Sequence, residues 1–247
     1  MLKEERQAFI IHQINLHNKV LSSDLSVQLN VSEDTIRRDL NELAENGKVL
    51  KVYGGALSKS FHYPFKENDV YAKESKKQIA RKALGLIQNG MTVLVGGGTT
   101  MLELARMVPD SLQCTFFTIS PLVALELSEH TNADVILIGG KLSRNTNITI
   151  GSQVINQLSE INVDLCLLGT NSLSVEDGVT DSDWEVVQIK KAMIRCSNKT
   201  CILSIAEKLN SVQKMKVCSL SSISYLVTDL DPAHPSLVEF RNTVEVL

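Results

Sequence analysis

The sequence predicts an α/β protein: an amino-terminal winged helix-turn-helix, then a carboxy-terminal, largely parallel α/β domain. Three observations predict it. Residues 1 to 57 read as short amphipathic helices followed by a small hairpin. Residues 76 to 247 alternate apolar strand-like runs with helical patterns, which implies a mostly parallel sheet covered on both faces. Between them, residues 58 to 75 form a polar linker that holds Phe61, Tyr63, Phe65 and Tyr71, four of the chain's eleven aromatics. That concentration predicts a segment docked on the larger domain or on a second subunit, or else a locally packed loop.

Composition narrows the function classes. A chain of 247 residues with 43% hydrophobic and 21% charged residues is ordinary globular chemistry, not disorder. No run approaches the ~18 apolar residues of a membrane helix. The mixed-charge start Met1-Leu2-Lys3-Glu4-Glu5-Arg6 lacks the order of a signal peptide, so a cytoplasmic protein with no membrane partner is expected. Five cysteines with no pair two residues apart and five scattered histidines suggest neither a disulfide framework nor a metal site, and no cofactor is expected. A net charge of −3 excludes bulk attraction to nucleic acid and leaves room for a local basic surface.

The elements of the first segment follow in order. A helix over Lys3 to His17 buries Ile10 and Ile14. Ser22-Ser23-Asp24 offers caps for a second helix carrying Leu25 and Leu29. Asn30-Val31 makes a tight turn, and Ser32 caps a third helix whose Ile36, Leu40 and Leu43 share one face. Asn46-Gly47 ends it. Two helices joined this way form a helix-turn-helix. The outward side of the third helix carries Asp34, Thr35, Arg38 and Asn41, with Arg37 at the flank. Arginine suits guanine and asparagine suits adenine in a major groove. Lys48 to Tyr53, then Gly54-Gly55 and Ala56-Leu57, read as a hairpin wing with Lys48 and Lys51 near phosphates. Residues 1–60 hold eight basic and eight acidic residues, but five of the basic ones lie within 37–59 against three acids. The candidate DNA-binding set is therefore Ser32, Asp34, Thr35, Arg37, Arg38, Asn41, Lys48, Lys51 and Tyr53, acting in a homodimer or higher homo-oligomer. A competing reading makes the module a protein-binding unit in which Arg38 simply pairs with Glu42.

The run Val31-Ser32-Glu33-Asp34-Thr35-Ile36-Arg37-Arg38-Asp39-Leu40, with Gly47 and Tyr53-Gly54-Gly55-Ala56, resembles the amino-terminal signature of the DeoR family of bacterial transcription regulators. The family usually has His where this chain has Tyr53, and often Arg at Lys51. The resemblance implies a double-stranded DNA operator as partner.

In the second segment, strands are expected at Thr92–Val95, Cys114–Ile119, Asp134–Ile138, Asp164–Leu168, Thr200–Ser204 and Ser224–Val227. Val186, Ile189, Met193 and Cys196 give one apolar helical face. The first strand runs into Gly96-Gly97-Gly98-Thr99-Thr100 and then a helix. Backbone N–H groups of such a turn suit a phosphate, although no Walker or dinucleotide pattern follows. Ser120, Gly140 with Lys141, Gly169 and Lys208 all follow strand ends, where parallel sheets bind ligands. The candidate effector-binding set is Gly97, Gly98, Thr99, Thr100, Ser120, Gly140, Lys141, Gly169 and Lys208. Landmarks from Lys77 to Ala80 through Asp164, Asp177-Gly178-Val179-Thr180, Lys190, Lys208 and Thr228-Asp229 extend the DeoR resemblance over nearly the whole chain. It implies a sensor domain like sugar-phosphate isomerase and coenzyme A transferase folds, and a repressor of carbohydrate genes tuned by a phosphorylated sugar or related metabolite. Gly96, Ile119, Leu165 and Ile205 replace polar residues usual in the family, which is expected to strip polar groups from the pocket. The alternative function is a sugar-phosphate isomerase or deaminase using Asp177, Asp181 or Asp183 for proton transfer.

Overall fold

The computed structural model describes residues 1–58, 70–130 (the side chain of His130 apart) and 133–247. Phe61, Tyr63 and Phe65 lie outside the described residues. The chain divides into two compact units, Met1–Tyr71 and Ala72–Leu247.

In the first unit, α1 (Lys3–His17), α2 (Ser22–Leu29) and α3 (Glu33–Glu45) enclose a small core. Ile10, Ile14, Leu25, Ile36, Leu40 and Leu43 are buried together there, as the helical spacing requires. The wing is richer than a hairpin. Strands β2 (Val49–Val52) and β3 (Gly55–Ser58) pair antiparallel around a Tyr53-Gly54 turn, and β1 (Lys19–Leu21) adds on the far side of β3. Gly54 takes the positive φ that the turn needs, at +78°. Gly55 is the first residue of β3, and a Cβ there would stand 1.9 Å from the Val20 carbonyl oxygen. The glycine pair thus serves two needs: a turn and the close approach of β1. Tyr71, from the segment read as linker, packs its ring edge against His12 of α1.

The second unit begins with α4 (Lys73–Leu84), three residues inside the segment read as linker. Its sheet has seven parallel strands. These are β4 (Thr92–Val95), β5 (Thr115–Thr118), β6 (Asp134–Leu137), β9 (Val163–Gly169), β12 (Ser197–Leu203), β14 (Tyr225–Val227) and β15 (Glu245–Val246). They lie in the order β15-β14-β12-β9-β4-β5-β6. Helices α5 (Thr99–Ala105), α6 (Pro121–His130), α7 (Ser152–Ser159) and α8 (Trp184–Arg195) follow or precede the central strands, and α9 (Val238–Arg241) precedes β15. The interior strand segments Val93–Val95 and Leu165–Leu168 are buried throughout, as expected for strands covered on both faces. A short antiparallel pair, β7 (Lys141–Leu142) with β8 (Thr149–Ile150), and a small sheet of β10 (Ser172–Ser174), β11 (Gly178–Asp181) and β13 (Met215–Cys218) decorate the sheet. Among the described residues no helix is long and apolar enough to cross a membrane.

The strand order reverses beside β4: successive strands step outward through β5 and β6 on one side and through β9, β12 and β14 on the other. The carboxyl ends of β4 and β9 therefore mark the switch point, the place at which open α/β sheets bind ligands.

Candidate DNA interface and sensor site

Helix α3 is amphipathic in the strict sense: Ile36, Leu40 and Leu43 are buried, while Asp34, Arg37, Arg38 and Asn41 face solvent. Ser32 caps it, its Oγ accepting from the Thr35 N–H at 3.2 Å and lying 2.9 Å from Thr35 Oγ1. Arg38 is 81% exposed and pairs with Asp34 at 2.7 Å, one turn back, not with Glu42. Glu42 instead holds Lys3 of α1 at 2.5 Å. Arg37 likewise pairs with Glu33 at 3.1 Å. Exposed pairs of this kind contribute roughly 0.5 kcal/mol, so phosphate oxygens or base edges can displace them at little cost. Lys51 on β2 donates its Nζ to Asn41 Oδ1, which joins wing and helix. Lys48 is exposed just before β2, and Tyr53 stands fully exposed at the wing tip.

One residue in this signature has a role that sequence reasoning missed. Asp39, between Arg38 and Leu40, is 3% exposed. Its carboxylate accepts from Arg6 Nε at 2.5 Å and Arg6 Nη2 at 3.2 Å, with Gln7 Nε2 at 3.4 Å. This bidentate fork ties α3 to α1 and raises the Arg6 pKa, chiefly through the Asp39 hydrogen bond. The only hint in the sequence was an acidic residue adjoining the apolar face of α3.

In the second unit, the expected phosphate turn lies at the switch point. The Gly96 N–H donates to the Leu167 carbonyl at 2.9 Å, which joins the ends of β4 and β9. At Gly97 a Cβ would meet the Ile148 side chain at 2.3 Å and Ser120 Cβ at 3.5 Å, so this glycine is required for packing. Gly98 caps α5 with φ +107°, and nothing lies within 4 Å of where a Cβ would be. Thr99 and Thr100 open α5, half-buried. Gly169 lies near Gly97 O and Met101 Cε. Gly97, Ser120 and Gly169 are thus brought together. Ser120 is 2% exposed, and its Oγ caps α6 by accepting from Val123 N. Gly140 is packed under Val154 and Ile150, whereas Lys141 is exposed and sits 3.9 Å from Glu185.

Lys208 lies in the turn after β12, half-buried, and donates to the Thr170 carbonyl at 3.0 Å. Nearby, Asp181 at the end of β11 is 1% exposed and pairs with Lys190 of α8 at 2.8 Å. Asn171 Nδ2 and the Ser182 N–H also donate to it, at 2.9 and 2.7 Å. Burial pushes the Asp181 carboxyl up, but the charge of Lys190 and these hydrogen bonds outweigh it and hold the group below its ordinary range. Neither Asp181 nor Lys190 was in the expected effector set, because nothing local in the sequence joins residues nine apart on a strand and a helix.

One expectation is corrected. Leu165 does not strip a polar group from the pocket. It pairs with Val93 and Lys199 in mid-sheet, four residues (about 13 Å) before the carboxyl end of β9. Its neighbour Asp164 holds the Thr92 N–H at 2.8 Å at the opposite edge. Gly96, Ile119 and Ile205 do lie beyond strand ends, but all three are buried.

Comparison with known proteins agrees with this architecture. Residues 6–61 match the DeoR-like helix-turn-helix domain, and residues 72–230 match the DeoR C terminal sensor domain. The HTH-type transcriptional regulator GolR of Listeria innocua is 31% identical over 93% of this chain and 91% of its own length. The HTH-type transcriptional repressor GlcR of Bacillus subtilis is 32% identical over 100% of this chain and 96% of its own. Among solved structures, ribose 5-phosphate isomerase A from Methanocaldococcus jannaschii overlaps 56% of this chain and 55% of its own, with 16% identity and a TM-score of 0.42. So partial an overlap says nothing about activity.

Proposed function

Because this chain belongs to the DeoR family of transcription regulators, we propose that it represses genes of carbohydrate metabolism from an operator on double-stranded DNA, and that a phosphorylated sugar or related metabolite in the sensor domain relieves repression. The observation that carries this reading is α3, which shows Arg37, Arg38 and Asn41 to solvent while its other face is the core of the unit. The wing supports it, with Lys51 bonded to Asn41 and Tyr53 at the tip. The nine residues from Ser32 to Tyr53 named above are the proposed DNA-contacting set. Phosphate contacts supply affinity, and Arg38, Arg37 and Asn41 set sequence choice. A module of balanced charge binds weakly alone, so the protein works as a homodimer or larger homo-oligomer on paired half-sites. A carbohydrate target is suggested by a relative named the L-fucose operon activator of Escherichia coli, and repression by the naming of GlcR as a repressor.

An enzymatic role is the weaker reading. Asp181 is locked to Lys190, Asp183 caps α8 by accepting from Val186 N at 3.2 Å, and the Asp177 carboxylate accepts from Ser174 Oγ at 3.4 Å in a turn. Each carboxylate weighed for proton transfer thus has a structural duty.

The test is retention of DNA fragments flanking the gene by the purified protein, with and without a panel of phosphorylated sugars. Salt-dependent retention that one sugar phosphate abolishes is expected. Lys51→Ala is expected to weaken binding evenly across sequences and lower the salt slope by about one. Absence of retention at low ionic strength defeats the reading.

A further inference from the structure

The seven-stranded sheet has two edges, and they end differently. At one, β15 is only two residues long and shows the charged Glu245 to solvent. Short strands and charges are the usual guards against edge-to-edge pairing. At the other stands β6, Asp134-Val135-Ile136-Leu137, with no proline and no lysine. Ile136 is 43% exposed and Leu137 44%, although their side chains lie on opposite faces of the strand. Leu125 of α6, the helix that packs on β5 and β6, and Leu142 of β7 are exposed as well. Among the described residues of this unit, four of the seven exposed large hydrophobic side chains therefore lie on or beside this edge. The backbone is open too. β6 pairs parallel with β5, and the Ile138 N–H just beyond it donates to the Thr118 carbonyl at 2.8 Å. Alternate residues share a side of the ladder, so Asp134 and Ile136 also bond toward β5. The N–H and C=O groups of Val135 and Leu137 point the other way, where no strand lies among the described residues.

We propose that a second copy of this chain covers the edge, β6 pairing antiparallel with its own copy about a two-fold axis at Ile136. In that register Val135 of each copy faces Leu137 of the other, and every outward donor meets an outward acceptor. The two Ile136 residues meet at the axis, with Cα atoms about 4.5 Å apart. Asp134, the single charge of the strand, stays about 13 Å along the strand from its copy, so no like charges collide. A stable interface buries roughly 800 Å² on each partner. Four residues of strand fall short of that, and Leu125 and Leu142 continue the apolar surface beyond them. An identical strand satisfies the backbone and the apolar side chains together, as a self-complementary two-fold contact requires. This rests on the reading of the protein as a homo-oligomer on paired half-sites, and names the surface that joins the copies.

Sedimentation of the full chain over a concentration series measures the association. Ile136→Lys sets like charges on the axis and is expected to weaken it about thirty-fold or more. Leu137→Pro removes an outward N–H that β5 does not use, and is expected to weaken it as well. Circular dichroism checks that each variant is folded; should the proline variant unfold, the Ile136 variants decide. Ile136→Cys is expected to give a disulfide-linked dimer on mild oxidation, and Asp134→Cys is not, because only the first brings two thiols within bonding reach. The wild type, with four of its five cysteines buried, is expected to stay uncrosslinked. A monomeric wild type, or self-association that survives Ile136→Lys while Ile136→Cys fails to crosslink, overturns the proposal. DNA retention is measured on the same samples. A wild type that holds DNA but associates independently of Ile136 sinks only this proposal. One that pairs through Ile136 yet retains no DNA sinks only the regulator reading.

Discussion

The cations of the two units differ in one respect that decides what they can do. On α3, Arg37 and Arg38 stand in solvent, each leaning on a carboxylate one turn away. Their exposed partners are easily exchanged for phosphate. In the sensor unit, Lys190 is locked to a buried Asp181, Lys76 is buried, and Lys208 is half-buried with its amine pushed down to about 7, chiefly by burial. Their charge depends on what lies beside them. The comparison teaches that an exposed cation is a constant, suited to a permanent polyanion such as DNA. A cation withdrawn from water is conditional, because its charge depends on its neighbours.

The largest effect that tests this contrast is at Asp181. Asp181→Ala leaves Lys190 buried without its partner, and a loss of about 3–5 kcal/mol in the unfolding free energy of the sensor unit is expected in urea. A loss under about 1 kcal/mol would show that the site is wetter than its burial implies. Next, Asp39→Ala removes the fork to Arg6 and should cost the amino-terminal unit about 2 kcal/mol, read by the same method. Arg38→Ala should leave stability alone but cost about 1–3 kcal/mol on a preferred operator, with relaxed base choice in a competition assay. Asp34→Ala should change stability by less than about 0.5 kcal/mol, since its pair with Arg38 is exposed. A large effect there would erase the distinction between the two regions.

The same contrast predicts a pH dependence. The folded pKa of Lys208 and of Lys76 lies below the unfolded value, so between about 7 and about 10 the unfolded chain binds more protons. Stability of the sensor unit should therefore rise with pH across that window, and the rise should shrink in Lys208→Met. Asp181 acts at the other end. Its folded pKa is depressed, so its contribution is present above the ordinary carboxylate range and is lost as pH falls through the folded value. Thermal midpoints across pH check both signs.

Much of the architecture was legible. Periodicity placed α3 and its core face, because 3.6-residue spacing is a local property. Apolar runs found six of the seven main strands: the central ones are buried on both faces and so apolar throughout, whereas the edge strand β6 is apolar yet largely exposed. What was missed is non-local. Strand β1 has three residues, too few for any period, and exists only by pairing with β3. The small sheet of β10, β11 and β13 contains polar, short strands such as Ser172–Ser174 and reads as loop. Leu165 was assigned to the pocket because its position along a strand cannot be judged before the strand ends are known.

The order of residues alone determined which faces of the helices are apolar, where the turns fall, and that two arginines stand on the outer side of the third helix. These follow from spacing within one element. Only the tertiary structure decided that Asp39 faces Arg6 across 33 residues, that Asp181 closes on Lys190, and that Lys208 reaches the Thr170 carbonyl. Burial and charge proximity are set by chain segments far apart in sequence, so the same lysine or aspartate reads identically in the sequence whether it ends in water or in the core.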